Sequence, residues 1–369
     1  MFNLLIFIVI LSILIVVHEF GHFLAARRYG VGVEKFAIGF GPVIFQIKGK
    51  ATDFLVCLFP LGGYVKLAGE TRQDCQGQRD EFYSKPVGVK TRIVLAGPMF
   101  NFLLAFVLFW AIAVIGFPRP DYANTVVGEV LQGYPAASAG LEEGDRIVIV
   151  NGKKVNDWLA MKAAITKSDE EVSLLVDRSG NALALTLGLK DSEYADDFGQ
   201  KKSQRIIGIV PPTINAKYNI FVGFFKAFQM LFSMTYFMAK GFLFIILGIL
   251  PFKEAVAGPI GIFYITSEAV KIGIVAILHL MAVLNVSLTI VNLMPLPLMD
   301  GGHAFLFLIE RIRKKRLSEK IEEIIARVGF AMLGLLIVFV FYNDVIKFGS
   351  KIWPSKNAQQ VEEVVEEQE

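Results

Sequence analysis

Two histidines and a glutamate near the amino terminus have the spacing of a metal-binding motif. The segment His18-Glu19-Phe20-Gly21-His22 matches the pattern H-E-x-x-H. On a helix, positions i and i+4 lie on one face, so both imidazoles can bind one Zn²⁺ with the glutamate beside them. The motif lies in an apolar stretch, where two histidines and a carboxylate are costly unless they are paired or bind a metal. The sequence therefore predicts a zinc site here.

A third ligand must come from elsewhere, because a catalytic zinc usually has three protein ligands and one open position. Apolar segments offer His279, Asp300 and His303. We favour Asp300, since the glycines that follow it permit close approach of the backbone; a helix cap or a turn is its alternative role. His303 is interpreted as a polar residue near the membrane interface, or alternatively as a partner of the ligands. His279 is interpreted as a core histidine.

Asn292, Pro295 and Pro297 precede this aspartate. Proline cannot continue a helix, so the two prolines predict an irregular stretch with free backbone groups beside the metal. Such a stretch could pair with an extended substrate strand, with the Asn292 amide donating or accepting a hydrogen bond. A proline kink that serves packing alone is the alternative.

The composition places these residues in a membrane protein. The chain has 369 residues, of which 54% are hydrophobic and 19% are charged, and its mean hydropathy is +0.55. Soluble domains are nearer 25% charged, so a soluble enzyme, a disordered chain and a fibrous chain are excluded. The net charge of +3 predicts no nucleic-acid partner. Two cysteines exclude a disulfide framework and a cysteine-rich zinc site.

Four apolar runs are predicted to span the bilayer, namely 1–26, 93–117, 272–309 and 327–342. Basic residues follow the first run and precede the second, and residues 311–316 are strongly basic. Because basic clusters favour the cytoplasmic side, both chain ends are predicted to lie outside. A fifth span at 221–250 would break this rule, so that segment is predicted to be an amphipathic helix on the outer membrane surface. The alternative is a fifth span.

Two segments between the spans are predicted to contain strands. Glycine-punctuated residues 30–66 favour a β-hairpin, either entering the membrane or lying in the cytoplasm, with 43–47 or 54–59 as a sheet edge for an extended substrate. Residues 124–212 alternate turns and strands around a helix at 158–167, which is typical of one small mixed domain outside the membrane. Residues 357–369 are acidic and predicted to be disordered.

Several motifs together resemble the site-2 protease family, most closely its bacterial members that cleave anti-sigma factors (the regulator-of-sigma-E protease type). They are His18–His22, the run Asn292-Leu-Met-Pro-Leu-Pro-Leu-Met-Asp-Gly-Gly302, Gly97-Pro98 with Asn101, and Gly258-Pro259-Ile260-Gly261. The match extends to about Tyr342, and Met299 replaces the usual leucine before Asp300. The resemblance implies that His18, His22 and Asp300 bind zinc, that Glu19 activates water, and that Asn292 helps to hold the substrate.

The resemblance also implies a fold: a polytopic α-helical membrane protein of about four transmembrane helices, a membrane-associated β-hairpin and one extracytoplasmic PDZ domain (α+β). The expected regions are 1–120 with the first two helices and the hairpin, 121–212 as the PDZ domain, 213–271 as interfacial amphipathic helices, 272–347 with the last two helices, and 348–369 as a disordered tail. Tandem PDZ domains occur in some relatives, and this chain has room for one.

The expected function is that of an intramembrane zinc endopeptidase in the bacterial cytoplasmic (inner) membrane. It would cleave single-span membrane proteins, such as anti-sigma factors or remnant signal peptides, in regulated intramembrane proteolysis. The substrates would first be trimmed by another protease, and the PDZ domain would either exclude bulky substrates or dock trimmed ends. A metal transporter and a non-catalytic PDZ scaffold are the alternatives.

Overall fold

A computed structural model of the chain describes residues 2–195 and 201–352. These residues form two compact units, Met1–Ile112 together with Ile220–Glu369, and Ala113–Asn219. The last described helix continues to Ile352. The tail predicted for 348–369 therefore begins no earlier than residue 353, and the rest of that prediction lies outside the described residues.

The elements occur in this order along the chain. The helices are α1 (Phe2–Arg28), α2 (Val87–Ile115), α3 (Pro135–Ser138), α4 (Trp158–Thr166), α5 (Ile220–Ile246), α6 (Phe252–Ala255), α7 (Pro259–Ile272), α8 (Ile274–Leu293), α9 (Asp300–Arg313) and α10 (Glu319–Ile352). The strands are β1 (Val33–Lys48), β2 (Asp53–Leu67), β3 (Phe117–Pro120), β4 (Glu129–Val130), β5 (Arg146–Val150), β6 (Lys153–Lys154), β7 (Glu171–Arg178), β8 (Asn181–Gly188), β9 (Lys190–Ala195), β10 (Lys201–Ile206), β11 (Ile209–Val210) and β12 (Thr213–Ala216).

Within the described residues, six stretches of helix are long and apolar enough to cross a bilayer, whose hydrocarbon core matches a helix of about 20 residues. They are Phe2–Arg28, Val87–Ile115, Ile220–Ile246, Phe252–Ile272, Ile274–Leu293 and Glu319–Phe348. The protein is thus a multi-pass membrane protein by length and composition. Three of the predicted runs, 1–26, 93–117 and 327–342, coincide with α1, α2 and part of α10. The run 272–309 coincides with α8 only as far as Leu293, because its second part lies in the turn and in α9, while α5 and the α6–α7 segment also qualify. The count of four, with 221–250 on the surface, stays a prediction.

A buried carboxylate joins the last helix to α7. Asp344 on α10 is fully buried, and it accepts hydrogen bonds from the backbone amides of Gly258 and Gly261, both at 2.9 Å. The first amides of a helix have no partner inside the helix, and a negative charge is favourable there. Asp344 therefore satisfies the amino-terminal end of α7 and packs α10 against it.

The predicted hairpin is present, and each of its strands bends back on itself. Residues 43–48 of β1 pair with 53–57 of β2, while 33–38 of β1 pair with 53–56 on one side and with 63–67 on the other. The bend in β1 includes Gly39 and Gly41, with φ of +85° and +88°. Glycine adopts this left-handed region without the steric cost of a side chain.

This register corrects one expectation about the sheet edge. Residues 54–56 have partners on both sides, so the prediction that 54–59 can accept a further strand is wrong for 54–56. A strand flanked on both sides has already used its backbone hydrogen-bonding groups. The outer segments of the described sheet are 43–48 and 63–67, and the predicted edge at 43–47 coincides with the first of them.

The unit Ala113–Asn219 is a small α+β fold. Its largest sheet has the strand order β6-β5-β7-β8, all antiparallel. Buried side chains of this sheet, among them Ile147 and Val172, form one core with Trp158 and Met161 of α4. β3 pairs with β12, so the chain enters and leaves this unit side by side. Residues 213–216, expected among the interfacial helices, are therefore a strand of this unit.

Candidate metal centre

Three side chains from opposite ends of the sequence meet between helices. His18 and His22 lie one turn apart on α1, and Asp300 is the first residue of α9. The two Nε2 atoms are 3.2 Å apart, and Asp300 Oδ2 lies 3.2 Å from that of His18 and 3.5 Å from that of His22. The structure thus brings the three predicted ligands together as a group that could hold a metal ion.

The spacing of these atoms fits a tetrahedral zinc site. Zinc–nitrogen distances of about 2.0–2.1 Å imply about 3.3 Å between neighbouring ligand atoms. The observed 3.2–3.5 Å agrees with that value. Asp300 Oδ2 is buried, and none of the described residues donates a hydrogen bond to it. An unpartnered buried carboxylate oxygen facing two imidazole nitrogens is the arrangement that a cation would satisfy.

Hydrogen bonds at the far side of each imidazole orient the rings. His22 Nδ1 donates to the backbone carbonyl of Ile93 at 2.9 Å, which leaves the Nε2 lone pair for a metal. His18 Nδ1 lies 3.4 Å from the amide of Asn101, a residue with no exposed surface and an unpartnered Oδ1. Amide oxygen and nitrogen positions are interchangeable by rotation. With Oδ1 turned towards the ring, His18 Nδ1 donates to it and the lone pair of Nε2 is again free.

Glycines allow α1 and α2 to meet at the site. A Cβ at Gly21 would lie 2.5 Å from the backbone oxygen of Ala96, and a Cβ at Gly97 would overlap the rings of His22 and His18. No side chain larger than hydrogen fits at either position unless the helices separate. These two glycines therefore set the distance at which α2 supports the histidines.

The turn before α9 places Asp300. α8 ends at Leu293, ahead of both prolines, as predicted. A Cβ at Gly301 would overlap the carbonyl of Leu293, and one at Gly302 would overlap that of Leu296. The predicted close approach of backbone is therefore present, and it presses the first turn of α9 onto the end of α8.

A cavity of about 360 Å³ surrounds the ligand atoms. Glu19 and Asn292 line it together with the three ligands, as does the edge of β2 at Tyr64, Val65 and Leu67. Pro295 and Pro297 do not line it. Pro295 faces a separate groove between α2 and α9, and Pro297 faces an apolar groove beside α10.

Sequence reasoning gave no site role to Tyr64 and Glu70, which line the cavity, and it offered a role beside the ligands for His303 only as an alternative. The position of His303 in the sequence could have indicated that it lies at the metal cavity, because a residue three places after Asp300 on a helix lies on the same face. Nothing in the local sequence pattern relates Tyr64 or Glu70 to residue 18. His279 lies away from the cavity and contacts the ring of Phe109 at 5.9 Å between centroids.

A buried group of four charges, the Arg72 cluster (Arg72, Lys90, Glu310 and Glu322), connects α2, α9 and α10. Arg72 donates to Glu310 at 2.9 Å, to Glu322 at 2.6 Å and to the carbonyl of Leu317 at 2.7 Å. Lys90 lies 3.6 Å from Glu310. Buried charges are tolerated only when they are paired and hydrogen-bonded. The cluster therefore fixes the end of α9 opposite to Asp300.

The fold and the site define a class of protein, namely membrane proteins with a metal centre of the H-E-x-x-H type among apolar helices. Peptidase family M50 matches residues 6–336, so the chain belongs to this family, the site-2 proteases. A Clostridium acetobutylicum protein named a zinc metalloprotease is 32% identical over 94% of this chain and 98% of its own length. The zinc metalloprotease RasP of Shouchella clausii is 27% identical over 94% and 100%. The regulator of sigma-E protease RseP of Salmonella typhimurium is 26% identical over 93% and 98%.

A solved PDZ domain of an SdrC-like protein from Listeria monocytogenes is also similar, with 20% identity, a TM-score of 0.20, and coverage of 25% of this chain and 90% of that one.

The family and its named members confirm the predicted activity. The protein is an intramembrane zinc metalloprotease that takes part in regulated intramembrane proteolysis. The transporter and scaffold alternatives are thereby set aside.

Proposed function

We propose that this protease cleaves the transmembrane segments of single-span membrane proteins, anti-sigma factors or remnant signal peptides, in a bacterial cytoplasmic membrane. The observation that carries the proposal is the convergence of His18, His22 and Asp300 between apolar helices. A metal centre flanked by membrane-length helices can reach a peptide bond that lies inside the bilayer. The name of the Salmonella relative, regulator of sigma-E protease, supports this class of substrate.

The chain's own residues have distinct roles in this reaction. His18, His22 and Asp300 would hold the zinc ion, and the ion when bound supplies a Lewis acid that makes water nucleophilic near neutral pH. Glu19 takes a proton from the attacking water and passes it to the nitrogen of the leaving amine. Its carboxylate lies next to the ligands on the same helix and faces the same cavity, which supports this role.

A substrate helix must unwind before attack, because its carbonyls are held in hydrogen bonds within the helix. The segment 63–67 of β2 is an outer strand of the described sheet, and it lines the metal cavity at Tyr64, Val65 and Leu67. An extended segment that pairs with this edge would lie beside the ligand atoms. Large apolar side chains on the hairpin are exposed, with Ile44 at 63% and Phe59 at 58%, which supports its contact with lipid.

Asn292 lines the cavity, which supports its proposed contact with the substrate backbone. Pro295 and Pro297 would act less directly. They end α8 and leave the carbonyls of the turn free of helical partners. In this role they shape the wall beside Asp300 and do not contact the reacting bond.

The unit Ala113–Asn219 is proposed to be a PDZ domain on the outer side of the membrane. A groove of about 290 Å³ lies between α4 and residues 204–211, with Trp158, Met161 and Ile165 on its helical wall. An apolar groove beside a strand suits an extended peptide end. The domain would screen substrates that a first protease has trimmed, either by excluding bulky ones or by docking the trimmed end.

The proposed orientation follows from the basic segments. Arg27 and Arg28 end α1, and the run 311–316 follows the apolar part of α9. Placing both in the cytoplasm puts the PDZ unit and the two chain ends outside. His18 and His22 then lie towards the cytoplasmic end of α1, and Asp300 follows the cytoplasmic end of α8.

The test compares wild-type protein with Glu19→Gln in detergent or nanodiscs. One zinc per chain in both, with cleavage of a single-span test substrate only in the wild type, is the expected result, because glutamine cannot accept the proton. Substrates with helix-breaking residues near the scissile bond should be cut faster than matched helical ones. Retained cleavage in Glu19→Gln would contradict the assigned base, and absence of zinc in both forms would contradict the assigned ligands.

A further inference from the structure

A second groove, of about 620 Å³, lies beside the metal cavity, between the start of α2, the end of α8 and one face of α9. We call it the arginine groove, because Arg92 and Arg311 both line it. Its other walls include Leu95 of α2 and Phe305 and Leu308 of α9. The established protease activity assigns no ligand to this groove.

Arg92 and Arg311 are exposed at the groove, and they lack the acidic partner that the more buried cations Arg72 and Lys90 of this unit have. Arg72 and Lys90 each contact Glu310. For Arg92 and Arg311, the described part of the chain provides no carboxylate within ion-pair distance, and no Asp or Glu lines the groove. Arg92 instead lies over the ring of Tyr29, with 5.8 Å between its guanidinium carbon and the ring centroid. The groove therefore presents two cations to a negatively charged ligand.

The apolar walls indicate what else the ligand carries. Phe305 and Leu308 are 49% and 50% exposed, so they present hydrocarbon surface at the same face as the arginines. A small soluble anion would use the cations and leave this surface uncovered. An amphiphile with an anionic head and acyl chains would use both.

We propose that the arginine groove binds the headgroup of an anionic phospholipid, with its acyl chains against the apolar walls of α2 and α9. The location agrees with this occupant. Arg92 lies five residues after the start of α2, a helix of membrane-spanning length, and Arg311 lies in the last turn of α9, so both cations are near helix ends. Basic pockets between membrane helices on the cytoplasmic side recognise such headgroups. Which leaflet of the membrane supplies this phospholipid depends on the orientation of the protein proposed above.

The site also adjoins the protease machinery. Pro295 and Gly301 line the groove, and Gly301 is the neighbour of Asp300. A bound lipid would contact the turn that positions the third ligand. The lipid proposal is nevertheless tested by lipid binding alone, so its success or failure is independent of that of the proposed function.

The test measures lipid binding by native mass spectrometry of the full-length protein, titrated with phosphatidylglycerol or with phosphatidylcholine. The wild type should retain one phosphatidylglycerol at concentrations where phosphatidylcholine is not retained. The double variant Arg92→Gln/Arg311→Gln should bind phosphatidylglycerol on the order of 30-fold more weakly, since each cation near a headgroup contributes about a factor of five.

The matched control is Arg313→Gln/Lys315→Gln, which removes the same charge from the neighbouring basic segment and leaves the groove unchanged. It should bind phosphatidylglycerol as the wild type does, and equal zinc content in all forms reports that each is folded. Equal loss in both double variants would overturn the proposal in favour of diffuse attraction to the surface. Unchanged lipid binding in Arg92→Gln/Arg311→Gln would overturn it as well, and a raised KM for a substrate with an acidic flank would then assign the groove to the substrate.

Discussion

Gly97 has no side chain, and the metal site depends on that. A Cβ there would occupy space that the imidazole rings of His22 and His18 now fill. Gly97→Ala should therefore lower zinc retention at least tenfold and abolish cleavage, because α2 must withdraw or the rings must turn. Zinc per chain after dialysis, with cleavage of a single-span substrate, measures both effects.

The same helix offers a control for Gly97→Ala. A Cβ at Gly88 would meet no atom within 4 Å, so Gly88→Ala should retain zinc and activity at the wild-type level. Equal zinc loss in both variants would mean that helix propensity, and not space at the rings, is responsible.

Asp145 and Arg178 connect two parts of the small α+β unit. The Arg178 guanidinium donates to both carboxylate oxygens of Asp145, at 2.8 Å each, and holds the pKa of that carboxyl below its usual range. A lowered pKa stabilises the fold at pH values above about 4, and this stabilisation is lost as the pH falls through the lowered pKa. Arg178→Met leaves a buried carboxylate without its cation and should cost about 3–5 kcal/mol at pH 7.

The loss of stability in Arg178→Met is measured by the hydrogen-exchange protection of the backbone amides of β5 and β7. The difference between wild type and Arg178→Met should be largest near neutral pH and shrink below pH of about 4. Lys201→Met, which removes an exposed pair with Glu193 at 3.7 Å, should change protection by less than about 1 kcal/mol. A difference that grows on acidification would contradict the assigned sign.

The sequence predicted the metal-site residues to different extents. His18 and His22 follow from a local helical spacing. Asp300 could be favoured only by the glycines that follow it, because no local rule relates residues far apart in the chain. Asn101, by contrast, is identified as a partner of His18 only once α1 and α2 are in contact.

At the scale of elements, the Arg72 cluster holds α9 from the side opposite to Asp300. Arg72→Leu would leave Glu310, only 5% exposed, with Lys90 at 3.6 Å and the Leu317 amide at 3.0 Å as its remaining partners. We expect a loss of about 3–5 kcal/mol in stability and weaker zinc retention, because α9 carries the third ligand. Thermal unfolding in detergent and zinc per chain are the measurements.

The control for Arg72→Leu is Arg327→Leu on α10. Arg327 forms an exposed pair with Glu323, with side-chain exposures of 76% and 61%. Such pairs contribute about 0–1 kcal/mol, so stability and zinc content should stay close to those of the wild type. If the two variants behave alike, the burial of the Arg72 cluster has no special effect.

The boundaries of the local elements were largely predictable, and their pairing was less so. The helix expected at 158–167 is Trp158–Thr166, and the strands expected within 124–212 include Glu171–Arg178 and Asn181–Gly188. Turn residues and period-two alternation mark such segments directly. The bends within β1 and β2 pair residues 33–38 on both sides, and alternation alone contains no information about this pairing.

At the scale of the whole molecule, the paired strands β3 and β12 define where most of the unit Ala113–Asn219 can be removed. Pro120 and Thr213 are partners in the register, so a short glycine linker can replace 121–212 without moving the flanking chain. If the unit excludes bulky substrates, the shortened protein should cleave untrimmed substrate that the wild type leaves intact. If the unit docks trimmed ends, cleavage of trimmed substrate should fall.

The two outcomes are read from cleavage of one trimmed and one untrimmed single-span substrate in the same membranes. Zinc content of the shortened protein is the control for an intact metal site. Unchanged cleavage of both substrates would contradict both roles.

The membrane class of the molecule was predictable from composition, whereas the number of spans was not, because α5 is apolar and long but carries Lys226 and Lys240.

The distance along the chain between the ligands has a consequence for biosynthesis. His18 and His22 are synthesised at the start, and Asp300 follows only after most of the protein has been made. At about 5–20 residues per second, the delay is roughly 15–60 s. Until residue 300 has been made, the nascent chain therefore lacks a full set of proposed ligands. Unfinished membrane proteins that share the same insertion machinery are not exposed to a working peptidase during that time.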